Sequence, residues 1–163
     1  MTIIAKILII SALCLLAVAC EPSAPETPAE SGPPPAPPVK VEFHAAADQP
    51  GAGMSFVEHE SGEGGIYVAA EILLSNADIE SATVQQDDYG AYQVDITFTE
   101  AGGTRFAEIT GQSIGRKIAI LVDGRLVSDP VIQDRITNGR AVIHGHMSRE
   151  KAERLARGIT GGR

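Results

Sequence analysis

Between residues 39 and 163 the apolar positions recur at two spacings, and each spacing predicts a kind of element. Val39-Lys40-Val41-Glu42-Phe43 alternates apolar with polar, the period of a half-buried strand. Residues 67–74 read as extended, and Ser75-Asn76-Ala77-Asp78 after them offers caps for one short helical turn. Residues 83–86 and 92–98 make an antiparallel pair about Asp88-Tyr89-Gly90, with Tyr92, Val94, Ile96 and Phe98 on one face. The continuous apolar run 118–122 suits a central strand. Asp123-Gly124 after it, with Leu126-Val127 beyond, is the strongest hairpin-turn signal in the chain. Residues 140–146 give one more strand.

Helical spacing appears twice. Thr99 is a candidate N-cap with Glu100 in the first turn, and the helix it starts turns Phe106, Ile109 and Ala101 inward, with Gly102-Gly103 weakening its start. Ser148 caps a last helix whose Ala152, Leu155, Ala156 and Ile159 form one stripe, while Glu150 and Arg154 are spaced for an i,i+4 ion pair. Residues 48–65, rich in Gly, Glu and Ser, read as a connection around a short extended piece at 55–58. The fold class expected is α+β: one small domain, an antiparallel or mixed sheet with two main helices packed on it.

The first 38 residues follow neither spacing. A single Lys6 precedes a twelve-residue apolar run, too short for a spanning helix but right for a signal-peptide core, and Ala17-Val18-Ala19-Cys20 follows it. Plain secretion would leave Cys20 as a lone thiol in an oxidising compartment, whereas lipidation gives that thiol a use. Ala17 stands three places before Cys20, where the lipobox of bacterial lipoproteins usually has Leu. The expectation is a signal peptide at 1–19, a lipidated Cys20 as membrane anchor, and a disordered tether over 20–38. Residues 21–38 hold eight of the ten prolines and could reach on the order of 50 Å. The folded domain is expected over 39–163.

Composition narrows the chemistry. With 163 residues, no Trp, 4% aromatic content and a net charge of −8, the chain suits neither base stacking nor a phosphate backbone, so no nucleic-acid partner is expected. Its only cysteines are Cys14 and Cys20, which leaves the domain without a disulfide frame. Charge divides unevenly, −11 over residues 39–100 and +5 over 101–163, and the two halves are expected to neutralise each other on packing.

Gly111-Gln112-Ser113-Ile114-Gly115 matches G-x-S-x-G, with Asp123 or Asp129 and then His144 in hydrolase order. That motif, however, needs a strand before it and a helix after it, and here the order is reversed. A glycine-terminated helix end is the simpler reading. His144 and His146 share one strand face but lack further ligands, since His44 and His59 are remote in sequence; no metal is expected. Asp87-Asp88 beside Tyr89-Gly90 reads as a turn. No cofactor is implied.

A longer pattern runs through Asp78-Ile79-Glu80-Ser81-Ala82, residues 94–99, Phe106, Thr110 and residues 114–124. It continues through Ser128, Pro130, Ile132, Ile136, Gly139, Ile143-His144-Gly145 and the Ala152, Leu155, Ala156 stripe. This pattern, from about residue 66 to 160, resembles the head subdomain of the first periplasmic domain of SecD, the accessory subunit of the bacterial protein-export channel. Asp129, where that family usually has a small residue, and Met147, where it usually has an aromatic, depart from it. The resemblance implies a non-enzymatic binding module that faces the periplasm of the bacterial cell envelope and contacts exported polypeptide or Sec/envelope proteins. Strand addition beside the 123–130 hairpin is the expected route, with Arg125, Ser128 and Asp129 as partner contacts. The alternative is an assembly subunit of an envelope complex with no substrate of its own.

Overall fold

The computed structural model describes residues 37–161 and, for His146, the backbone alone; the expected signal peptide, Cys20 and nearly all of the tether lie outside the described residues. In chain order the elements are β1 (Val41–Ala47), β2 (Met54–Glu58), β3 (Gly65–Ser75), a 3-10 turn (Asn76–Asp78), β4 (Ile79–Gln86) and β5 (Tyr92–Phe98). There follow α1 (Glu100–Gln112), β6 (Lys117–Val122), β7 (Arg125–Ser128), β8 (Arg140–Met147) and α2 (Arg149–Thr160).

The strands form two sheets, β2-β3-β1-β6-β7 and β4-β5-β8, with every neighbouring pair antiparallel. The apolar run in β6 is continuous because the larger sheet is buried on both faces. Ile118 and Ile120 join the main core, while Ala119 and Leu121 join a second one. In the main core Phe43 of β1 meets Phe98 of β5 edge-on at 5.7 Å and Phe106 of α1 at 6.3 Å. Val94, Ile96 and the α2 stripe of Ala152, Leu155, Ala156 and Ile159 complete it, and Met147 is buried there too, so a thioether fills the place of the expected aromatic.

The second core gathers Ala46, Ile66, Val68, Ala119, Leu121 and Leu126. Around it the larger sheet curls until its two edges touch. His59, just past β2, bridges Leu126 of β7, and the Glu60 N–H donates to the Leu126 carbonyl at 2.8 Å.

The caps fall where the sequence puts them. Thr99 Oγ1 accepts the Gly102 N–H at 3.0 Å, and Ser148 Oγ accepts the Lys151 N–H at 3.3 Å. The Ser75 N–H donates to Asp78 Oδ2 at 2.9 Å, closing a capping box around the short turn. Asp123 and Gly124 both take positive φ, +50° and +78°, as a tight hairpin requires.

Three expectations are corrected. Ala101 is exposed, and α1 instead buries Gly102, Phe106, Ala107 and Thr110. Gly102 is there for close approach, because a Cβ would stand 2.3 Å from the Asp78 carbonyl oxygen. The Glu150–Arg154 ion pair is not among those formed: Glu153 pairs with Arg149 at 2.8 Å and Arg157 at 3.7 Å. Glu150 stands in the first turn of α2, where its own backbone N–H and the Ser148 hydroxyl lower its carboxyl pKa from the ordinary value.

The first strand begins at Val41 rather than 39 because the residues before it form a strap. The Val39 N–H donates to the Gly158 carbonyl of α2 at 3.1 Å. Asn76 holds both sides of the strap, donating to the Val39 carbonyl at 2.8 Å and accepting the Val41 N–H at 2.7 Å. Among the described residues no helix is long and apolar enough to cross a membrane.

Candidate functional site: a furrow between two sheet edges

β7 ends the larger sheet and β8 ends the smaller one. Beyond Ser128 the chain continues beside β6: the Ile118 N–H donates to the Pro130 carbonyl at 3.1 Å and the Ile132 N–H to the Arg116 carbonyl at 2.9 Å. It thus extends the larger sheet's edge past the end of β7. Residues 127–136 on one side and β8 on the other wall two cavities in succession.

The first, about 740 Å³, runs between Pro130–Ile136 and the beginning of β8, and its floor is Phe43, Phe106, Ile118 and Ile120 of the main core. Asp95, Asp134 and Arg140 stand among its polar lining. Arg140 pairs with Asp95 at 3.3 Å. The second, about 700 Å³, lies between Val127–Asp129 and the end of β8, with His59 and Glu63 also on its wall. His144 borders both, so the two make one furrow along β8. Eight strand residues at the usual rise give that furrow a length of about 26 Å.

The three expected contact residues separate. Ser128, 9% exposed, and half-buried Asp129 form one wall of the second cavity. Asp129 Oδ2 accepts from Lys117 Nζ at 3.1 Å, and the same ammonium reaches Asp48 at 2.7 Å. The hydrogen bonds that Lys117 donates, to Asp48 first and Asp129 second, raise its pKa above the ordinary lysine value. Arg125 opens instead onto a different hollow of about 440 Å³, beside Lys151 and Arg154. The β7 edge is also less open than expected, since Glu60 already uses the Leu126 carbonyl. The free edge that faces the furrow belongs to β8, which the sequence analysis did not single out. Exposed Val131 and buried Ile132, apolar residues in an aperiodic stretch, were the available signal for the facing wall.

The hydrolase reading finds no support in this geometry. Ser113 caps the end of α1, the Ser113 N–H donating to the Thr110 carbonyl at 3.1 Å, and it lines neither cavity that His144 borders. His59 and His144 do share the second cavity despite their distance in sequence, yet among the described residues no three His, Cys, Asp or Glu side chains are placed to hold a metal ion. The His146 side chain lies outside the described residues. Asp87 Oδ1 accepts the Tyr89 and Ala91 N–H groups at 2.9 and 2.8 Å, a turn as expected.

Residues 54–163 match the family described as the SecDF P1 head subdomain. The chain belongs to that family. Among its relatives, SecDF of Thermus thermophilus is 45% identical over 84 residues, covering 52% of this chain and 11% of that protein. SecD of Magnetococcus marinus is 36% identical over 108 residues, covering 63% of this chain and 21% of that protein. The chain therefore spans only a small part of the length of these relatives.

A solved SecDF, described as a membrane component that enhances protein export, superimposes with a TM-score of 0.64 at 28% identity, covering 78% of this chain and 64% of that one. A second, SecDF in a super-membrane-facing form, gives 0.64 at 30% identity, covering 76% of this chain and 19% of that one. The P1 head match begins at Met54, yet β1, which precedes it, is the central strand of the larger sheet.

Proposed function

We propose that this chain is a non-enzymatic P1-head module that holds extended polypeptide in the furrow beside β8, and that it does so on the periplasmic side of a bacterial membrane in the service of protein export. Residues 1–19 act as a signal peptide, Cys20 carries the lipid anchor, and residues 20–38 tether the domain at 39–163. The observation that carries the reading is the free edge of β8 facing an apolar-floored furrow. An extended chain laid there gains main-chain hydrogen bonds without sequence demand, while its alternate side chains reach the floor. Ser128 and Asp129 touch it from the opposite wall. Relatives named as translocase subunits supply the process.

Site-specific photo-crosslinking tests this. Probes at positions 131 and 142, on facing walls, are expected to capture nascent exported chains, and a probe at 125 is not. Equal capture from all three positions, or from none, overturns the reading. A second reading, an assembly subunit that docks in an envelope complex, is favoured by Phe56, which is 54% exposed and stacked edge-on to Tyr67 at 5.4 Å. A stable stoichiometric partner lost on Phe56→Ser would support it.

A further inference from the structure

The furrow's charge is as uneven as its polarity. Its lining holds four carboxylates, those of Glu63, Asp95, Asp129 and Asp134, against one guanidinium, that of Arg140. Arg140 pairs with Asp95 at 3.3 Å, and Asp129 pairs with Lys117 at 3.1 Å. Among the ion pairs of the described residues, none includes Glu63 or Asp134. Glu63 lies on the wall of the second cavity, whereas Asp134 borders the first, where the floor is made of Phe43, Phe106, Ile118 and Ile120. Each cavity therefore carries one carboxylate that takes part in none of these ion pairs, and the apolar floor belongs to the first cavity.

From this we infer that the furrow selects its polypeptide by charge as well as by shape: it takes an extended segment whose large apolar side chain fills the first cavity and whose Lys or Arg residues, within about five positions, sit against Asp134 and Glu63. The inference rests on the polypeptide-binding reading above and names the class of segment bound. Acidic segments of equal hydrophobicity are rejected, because they set like charges against two carboxylates that are engaged in no ion pair among the described residues.

Fluorescence anisotropy on the purified full chain tests it, using ten-residue peptides with a central Leu-Phe-Leu flanked by Lys, by Ser or by Glu. At low ionic strength the Lys-flanked peptide is expected to bind about tenfold more tightly than the Glu-flanked one, with the Ser-flanked peptide between. In 1 M salt the gap closes to about twofold, since the carboxylates are exposed and screened. Glu63→Lys with Asp134→Lys is expected to reverse the order; both sites are on exposed connections, so the fold tolerates the change. Equal affinity for all three peptides overturns the charge inference and leaves polypeptide binding standing. Binding of none of them overturns both.

Discussion

Asn76 does more for this fold than its place in a three-residue turn implies. Its amide holds the strap from both sides, and Nδ2 also donates to the Ile159 carbonyl at 3.4 Å, so one side chain joins the entering chain, the β3–β4 turn and the end of α2. Asn76→Ala leaves two backbone groups of β1 and the strap without partners and is expected to cost about 2–3 kcal/mol in urea unfolding. Asn76→Asp keeps the acceptor for the Val41 N–H, loses the donors, and should fall between. Gly158 is the other half of the arrangement: a Cβ there would stand 2.2 Å from Val39 Cγ2 and 3.1 Å from the Pro37 oxygen. Helix propensity alone makes Ala about 1 kcal/mol better than Gly in a helix, yet Gly158→Ala is expected to destabilise by a similar amount because the strap must lift. A more stable variant would show that the strap is not held down.

Among the elements, what was legible in the sequence was what local chemistry decides. Thr99, Ser148, Ser75 and Asp123-Gly124 each fix an element's end through bonds or backbone angles within a few residues, and all four behave as expected. Pairing was not legible. Nothing in Val41–Ala47 announces that it lies between β3 and β6, or that β4, β5 and β8 separate into their own sheet, because those choices depend on which distant faces bury each other. The furrow escaped for the same reason: Ser128 and Asp129 could be singled out as hairpin neighbours, but the other wall is supplied by β8.

Lys117 illustrates how such long-range choices are fixed. It stands at the start of β6 and joins Asp48, after β1, to Asp129, after β7. Its folded pKa is raised, so the stability it supplies is complete below the ordinary lysine value of about 10.4 and is lost as pH climbs through the higher folded value. Lys117→Met is expected to cost about 1 kcal/mol, a cost constant from pH 7 to about 10 that shrinks above that, when both proteins are unfolded in urea at each pH.

At the scale of the molecule, the acidic first half and the basic second half partly neutralise each other: Arg105–Asp78, Lys117–Asp48, Arg140–Asp95 and Lys151–Glu60 each join one half to the other. Among the described residues, 37–161, the two sheets, two helices and two cores form one folded unit. The strap makes the starting point of that unit matter. A chain beginning at residue 37 keeps every bond described above and is expected to unfold in one transition near the midpoint of the whole chain. A chain beginning at Lys40 loses the Val39–Gly158 and Asn76–Val39 hydrogen bonds and the cover over α2, at a cost of about 2 kcal/mol, which lowers the midpoint by roughly 5–10 °C. The two perturbations should then be strongly non-additive, because they act on one contact. Gly158→Ala destabilises the longer chain, whose strap it displaces. In the chain that begins at Lys40 nothing is left to displace, and the same substitution is expected to stabilise by about 1 kcal/mol as an ordinary helical Gly→Ala exchange. Thermal unfolding of the four proteins measures that change of sign, and its absence would mean that Val39 and Gly158 are not in contact.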